Sequence, residues 1–139
     1  VLPALVAVLL SSVAGCSHDL SSAVMPGAEI ARPGVYFVRQ SPRDDSGIAE
    51  FIARDLRHRG KEATIGMGEP DRPDVQVLVV YEDRWMWDMS PYLLTLRIDF
   101  REPDTNVLLA TGKSYRTSLI RKTPVMMVRE VIAAIFQDP

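Results

Sequence analysis

Few side chains in this 139-residue chain have the type and spacing to do chemistry. They are one cysteine, Cys16, two histidines, His18 and His58, and the run "YEDRWMWDMSPY" over residues 81–92, which sets three carboxylates among tryptophans, tyrosines and methionines. A lone thiol has no disulfide partner in the chain, so its surroundings decide its use. His18 stands among serines in a stretch without a sustained period, where an isolated histidine is solvent-exposed rather than a metal ligand. His58 falls in "RDLRHRGK" at the end of a helical pattern, where basic side chains complement the helix dipole. Glu82, Asp83 and Asp88 have the right chemistry for a metal, but strand alternation sends Glu82 and Asp83 to opposite faces. "IGMGEP" lacks the basic residue and the following helix of a phosphate loop. The residues therefore predict no catalytic centre, no metal and no cofactor.

The surroundings of Cys16 are specific. Ahead of it runs "VLPALVAVLL", with no charged or polar side chain. It is too short for a spanning helix, which needs about 20 residues, but matches the apolar part of a secretory signal. It has no Met and no basic residue ahead of it, a departure from that pattern read as a truncated start. The run ends in "SSVAGCS", which resembles the lipobox of bacterial lipoproteins: an aliphatic residue, Val13, two small ones, Ala14 and Gly15, then the cysteine. The resemblance implies that residues 1–15 are a signal peptide and that Cys16 accepts a diacylglyceryl group and becomes the first mature residue. Each buried methylene adds ~0.8 kcal/mol of membrane affinity, so the three chains usual in such proteins make release negligible. Ser17 rather than Asp follows the cysteine, which by the family's sorting rules implies the outer membrane, with the domain facing the periplasm. Residues 16–33, rich in Ser, Pro and Gly, read as the lipidated cysteine and a flexible tether spanning ~20 to 25 Å.

Behind these residues must stand one small domain, residues 34–139. The net charge of -2 and mean hydropathy of +0.02 are neither basic enough for nucleic acid nor polar enough for disorder. "GVYFVRQ" reads as a strand. Ile48, Phe51, Ile52 and Leu56 recur at helical spacing, with Asp44 to Ser46 placed to cap the helix and Gly60 to end it. "EATIGM" is a second strand, joined by a right-handed parallel crossover. A turn over Asp88 to Pro91 then pairs Trp87 with Tyr92, Trp85 with Leu94, Asp83 with Leu96, Tyr81 with Ile98 and Val79 with Phe100 on one nearly apolar face. The other face pairs Arg84 with Thr95, Glu82 with Arg97 and Val80 with Asp99. "VLLATGKSYRT" is a further strand, with Gly112 marking a bulge, and Thr123 and Pro124 open a helix burying Val128, Val131, Ile132, Ile135 and Phe136.

This predicts an α+β fold: a two-layer sandwich of two helices on one face of a mixed sheet of about five strands, in the order β-α-β-β-β-α. Trp85 and Trp87 are expected in the core beneath the helices, with Asp83 on that face reaching Lys113. "DRWMWDMSPYLLTLRI" followed by "LLATGKS" resembles strings of small bacterial outer-membrane lipoproteins. The element order is similar to that of envelope lipoproteins such as the activators of penicillin-binding proteins and the curli-secretion lipoprotein. These resemblances imply a non-enzymatic envelope domain that docks a protein partner. The composition of partner surfaces points to the uncovered sheet face at Arg84, Met86, Leu93 and Arg97. The alternative is a lipid- or polyanion-binding module using Arg54, Arg57, His58, Arg59 and Lys61, with Arg121 and Lys122 nearby.

Overall fold

The computed structural model describes residues 18–138; the predicted signal peptide and Cys16 lie outside the described residues. The elements are strands β1 (His18–Val24) and β2 (Val35–Arg39), helix α1 (Ile48–His58), and strands β3 (Glu62–Gly66), β4 (Val77–Asp88), β5 (Ser90–Arg101) and β6 (Leu108–Arg116). A single 3-10 turn (Ser118–Ile120) then leads into helix α2 (Pro124–Phe136). The strands form one six-stranded mixed sheet in the order β1-β6-β5-β4-β2-β3. β2 pairs in parallel with β3 and β4, and the β4-β5-β6 meander and β1 are antiparallel. Both helices cover one face, so the architecture is the expected α+β sandwich with one strand more.

That core forms because each element turns one apolar side inward. Tyr36 and Val38, Val77 and Val79, then Leu96, Ile98 and Phe100 alternate along their strands and meet Ile48, Ile52 and Leu56 of α1 and Val128, Val131, Ile132 and Ile135 of α2. The carboxylate of Asp44 accepts from the Ile48 and Ala49 amides and so starts α1, while Thr123 Oγ1 accepts from Met126 N at the start of α2. Gly60, at φ 81°, ends α1 in the left-handed region. Gly112 marks no bulge: a Cβ there would stand 2.9 Å from Val131 Cγ1 and Ile135 Cγ1, so the missing side chain lets α2 seat against β6. The register slips instead between Phe100 and Arg101.

Two further expectations need correction. Residues 18–24 are no tether. They pair with β6 from His18↔Arg116 to Val24↔Ala110, and Ser22 Oγ donates to Ala134 O of α2 at 2.9 Å. The rest of the supposed tether is also held, with Ile30 buried and Lys61 Nζ donating to Ala31 O and Pro33 O. The described strands, helices and core all involve residues from 18 onwards, so a form beginning at Cys16 keeps every contact described.

The second correction concerns the β4-β5 hairpin. Its register is as expected from Leu78↔Arg101 to Arg84↔Thr95, but then shifts, giving Trp85↔Leu93, Met86↔Tyr92 and Asp88↔Ser90. The chain turns at Met89, at φ 59°, earlier than a turn centred on Met89 and Ser90 allows, and the spare residue on β5 becomes a bulge at Leu94. The bulge swings Leu93 to the helix side, where it is 1% exposed and part of the core. Trp85 and Trp87 are not core residues: Trp87 is 73% exposed, because β6 pairs with β5 only as far as Thr95. Asp83 accepts from Trp85 Nε1 at 2.7 Å, while Lys113 stands across from Arg97 and so lies on the other face of the sheet.

Candidate functional site

The sheet face that the helices leave open is organised around one carboxylate. Asp99, near the end of β5, is buried although its side chain points away from the core, because three neighbours close over it. Arg97 Nη2 and Arg101 Nη2 each donate to Asp99 Oδ2 at 3.1 Å, and Thr111 Oγ1 donates to Asp99 Oδ1 at 2.7 Å. Arg101 Nη1 also donates to Asn106 O, and Glu82 stands 3.9 Å from Arg97 Nη1. Strand alternation at positions 97, 99 and 101 puts the three ionic side chains in one row, and β6 supplies the hydroxyl from the register partner of Asp99.

A guanidinium has five N–H donors in a fixed fork, and Arg97 spends only part of that set. Its side chain is 44% exposed, yet the ion pair with Asp99 at 3.1 Å holds its guanidinium in place. The face can therefore offer charge-assisted hydrogen bonds to carboxylates of a partner with less loss of side-chain freedom than a free arginine would suffer. Of the residues expected to form the site, Arg84, Met86 and Arg97 are exposed on β4 and β5, and Leu93 is removed to the core by the bulge. Strand alternation places Asp99 on this face, but its role as the organising carboxylate comes only with the packing of Arg97, Arg101 and Thr111 around it. The R-x-D-x-R spacing of residues 97–101 on a strand is the signal that could have found it.

The hairpin end is a second distinctive surface. Above the bulge the ribbon carries Trp85, Met86, Trp87 and Met89, all exposed, and Leu119 of the 3-10 turn is 94% exposed. Arg121 braces the ribbon: it donates from Nη1 to Ser90 Oγ at 2.7 Å and from Nη2 to Asp88 O at 3.2 Å, and its guanidinium lies 4.8 Å from the Tyr92 ring centroid. A groove of about 340 Å³ runs at its foot between Trp85, Tyr92 and the segment from Arg121 to Pro124.

The basic helix end is not a free cationic patch. Arg57 donates twice to Ala63 O, Arg59 pairs with Asp55 and Asp138, and Lys61 is held by backbone carbonyls. Arg121 braces the hairpin and Lys122 pairs with Glu130, so neither joins that cluster. Arg54 and His58 remain exposed on α1. No helix among the described residues is long and apolar enough to cross a membrane.

No protein-family model and no curated protein matches the sequence. Solved structures do resemble the fold. A variant PelC dodecamer from Paraburkholderia phytofirmans superposes with a TM-score of 0.62 at 13% identity, covering 85% of this chain and 96% of that one. A PelC dodecamer from the same organism in a second crystal form gives 0.61 at 13% identity, over 85% of this chain and 97% of that one. A PDZ domain protein from Parabacteroides distasonis gives 0.52 at 9% identity, over 84% of this chain but only 34% of that one. At these identities the likeness is one of fold.

Proposed function

We propose that this protein is a lipid-anchored lipoprotein of the bacterial outer membrane whose periplasmic domain docks a protein partner within an assembly and catalyses no reaction. The observation that carries the docking is the open sheet face, where buried Asp99 holds Arg97 and Arg101 in place. A partner presenting carboxylates would complete those arginines' hydrogen bonding. Lipid attachment rests on the residues around Cys16. The PelC structures, dodecamers by their description, are cases in which a similar fold assembles with copies of itself, and they favour an assembly role here.

The test uses a photoreactive residue at exposed Arg84 in intact cells. It is expected to give a discrete crosslinked species, either a multiple of this chain or a second envelope protein, and Arg97→Glu, which lowers the melting temperature by setting a carboxylate beside Asp99, is expected to abolish it at a temperature where circular dichroism shows the variant still folded. No adduct, or one that Arg97→Glu leaves intact, sinks the docking face. In parallel, labelled fatty acid should enter the wild type and not Cys16→Ala; equal labelling of both would remove the anchor.

A further inference from the structure

The strand directions put the chain's entry point and the hairpin end on the same side of the molecule. β4 runs up to the turn at Met89, β5 down, β6 up again to Arg116, and β1 down from His18, which pairs with Arg116. His18 is therefore level with the first residues of the free ribbon. Beyond that level, Met86 to Met89 project a further ~10 to 13 Å at the rise of a strand. Only Ser17 separates His18 from Cys16, and two residues span at most ~7 Å. An anchor on Cys16 therefore keeps this side of the domain within a distance of the bilayer shorter than the ribbon's own projection.

The ribbon's composition suits that position. Five of the nine large hydrophobic side chains exposed among the described residues, Trp85, Met86, Trp87, Met89 and Leu119, sit at this end. Tryptophan favours the membrane–water boundary because its ring is apolar and its N–H polar. Met89 is 94% exposed at φ 59°, a left-handed turn position where glycine or asparagine would sit without strain. The fold gains nothing from a long apolar side chain there, but a lipid surface does. Arg84 stands lower on the ribbon, at the height of headgroup phosphates once the tip is immersed, while the Arg121 guanidinium, held on Asp88 O and Ser90 Oγ beside the turn, meets those phosphates as the tip approaches. Arg121 and the Tyr92 ring fix the ribbon in this pose before any contact.

We propose that the β4-β5 hairpin tip, with Trp87 and Met89 leading and Leu119 beside them, is a membrane-contact site that enters the interfacial layer of the bilayer holding the Cys16 anchor. The direction of contact rests on the lipidation proposed above, so the experiment imposes the anchor chemically. The form beginning at Cys16, whose sole thiol is Cys16, is coupled to maleimide phospholipid in phosphatidylethanolamine–phosphatidylglycerol vesicles. The chain's only tryptophans are Trp85 and Trp87, so its tryptophan emission reports on the tip alone. Coupling should shift that emission to shorter wavelength and expose it to quenching by brominated lipid. A second form, with Cys16→Ser and Asp104→Cys in the turn at the opposite end, should show neither effect. Trp87→Ser with Met89→Ser should weaken the quenching of the remaining Trp85. Unshifted, unquenched emission after coupling through Cys16 overturns the proposal, as does the same shift in both attachment geometries. A shift that grows with protein concentration in the absence of vesicles also overturns it, because the tip is then covered by protein. Fatty-acid labelling of Cys16 in cells is a separate measurement, so failure of the anchor and failure of the tip are distinguishable.

Discussion

At the scale of single residues, Glu130 of α2 is among the most heavily engaged polar groups of the described residues. Ser114 Oγ donates to it at 2.5 Å, Arg116 at 3.1 and 2.9 Å, and Lys122 at 2.8 Å, so one carboxylate ties β6, the segment after the 3-10 turn and α2 together. Burial pushes this carboxyl up, but the hydrogen bonds from Arg116, Lys122 and Ser114 outweigh it and hold the pKa at about 2, below the ordinary 4.5. A folded-state value below the unfolded one means stability fully present above pH 4.5 and lost as pH falls towards 2. Glu130→Gln should therefore lower stability at neutral pH by about 3 kcal/mol, with Arg116 left buried beside a neutral group. Urea denaturation of both proteins checks this: the gap should be constant above pH 5 and shrink as pH falls below 4.5, and a gap that ignores pH would put the effect in packing rather than charge. The sequence did not announce this residue, because an ion pair between a strand and a helix exists only once the two are packed. Arg84 and Arg97 were legible, since a strand's alternation alone assigns their face. Leu93 was not, because a single bulged residue reverses every assignment beyond it.

At the scale of elements, the contact of α2 with β6 depends on what Gly112 lacks. A methyl group there meets Val131 and Ile135 at 2.9 Å, and both are fully buried with no room to retreat. Gly112→Ala should cost about 1–3 kcal/mol through overpacking, seen as a lower denaturation midpoint with an unchanged slope. If Gly112→Ala in combination with Val131→Ala did not recover part of the loss, the close approach would not be its cause. The helices were readable because each has an apolar side, a capping residue and a stop signal, and the hairpin's lower register because two strands agreed on it over seven pairs. β1 left no such trace. Its side chains are exposed apart from half-buried Val24, so "HDLSSAV" shows no inward face and is a strand only through its backbone pairing with β6. Edge strands of this kind escape pattern reading because burial, the origin of the pattern, is missing.

At the scale of the molecule, β1 covers the edge that β6 would otherwise present. A form beginning at Met25 should lose the seven-residue ladder, expose the β6 backbone and melt at lower temperature, with a tendency to self-associate visible by size-exclusion chromatography. Were residues 18–24 a mere tether, their removal would leave melting and elution unchanged. The same pairing has a mechanical consequence. Tension applied to the chain ahead of His18 and along the sheet pulls β1 lengthwise past β6, so the rungs from His18↔Arg116 to Val24↔Ala110 are loaded together and must slide as a set. Pulling across the sheet would instead open them one at a time, like a zipper. An edge strand that begins only two residues after Cys16 thus makes the junction between the amino-terminal segment and the globule resistant to a steady tug along the sheet, and yielding to a sideways one.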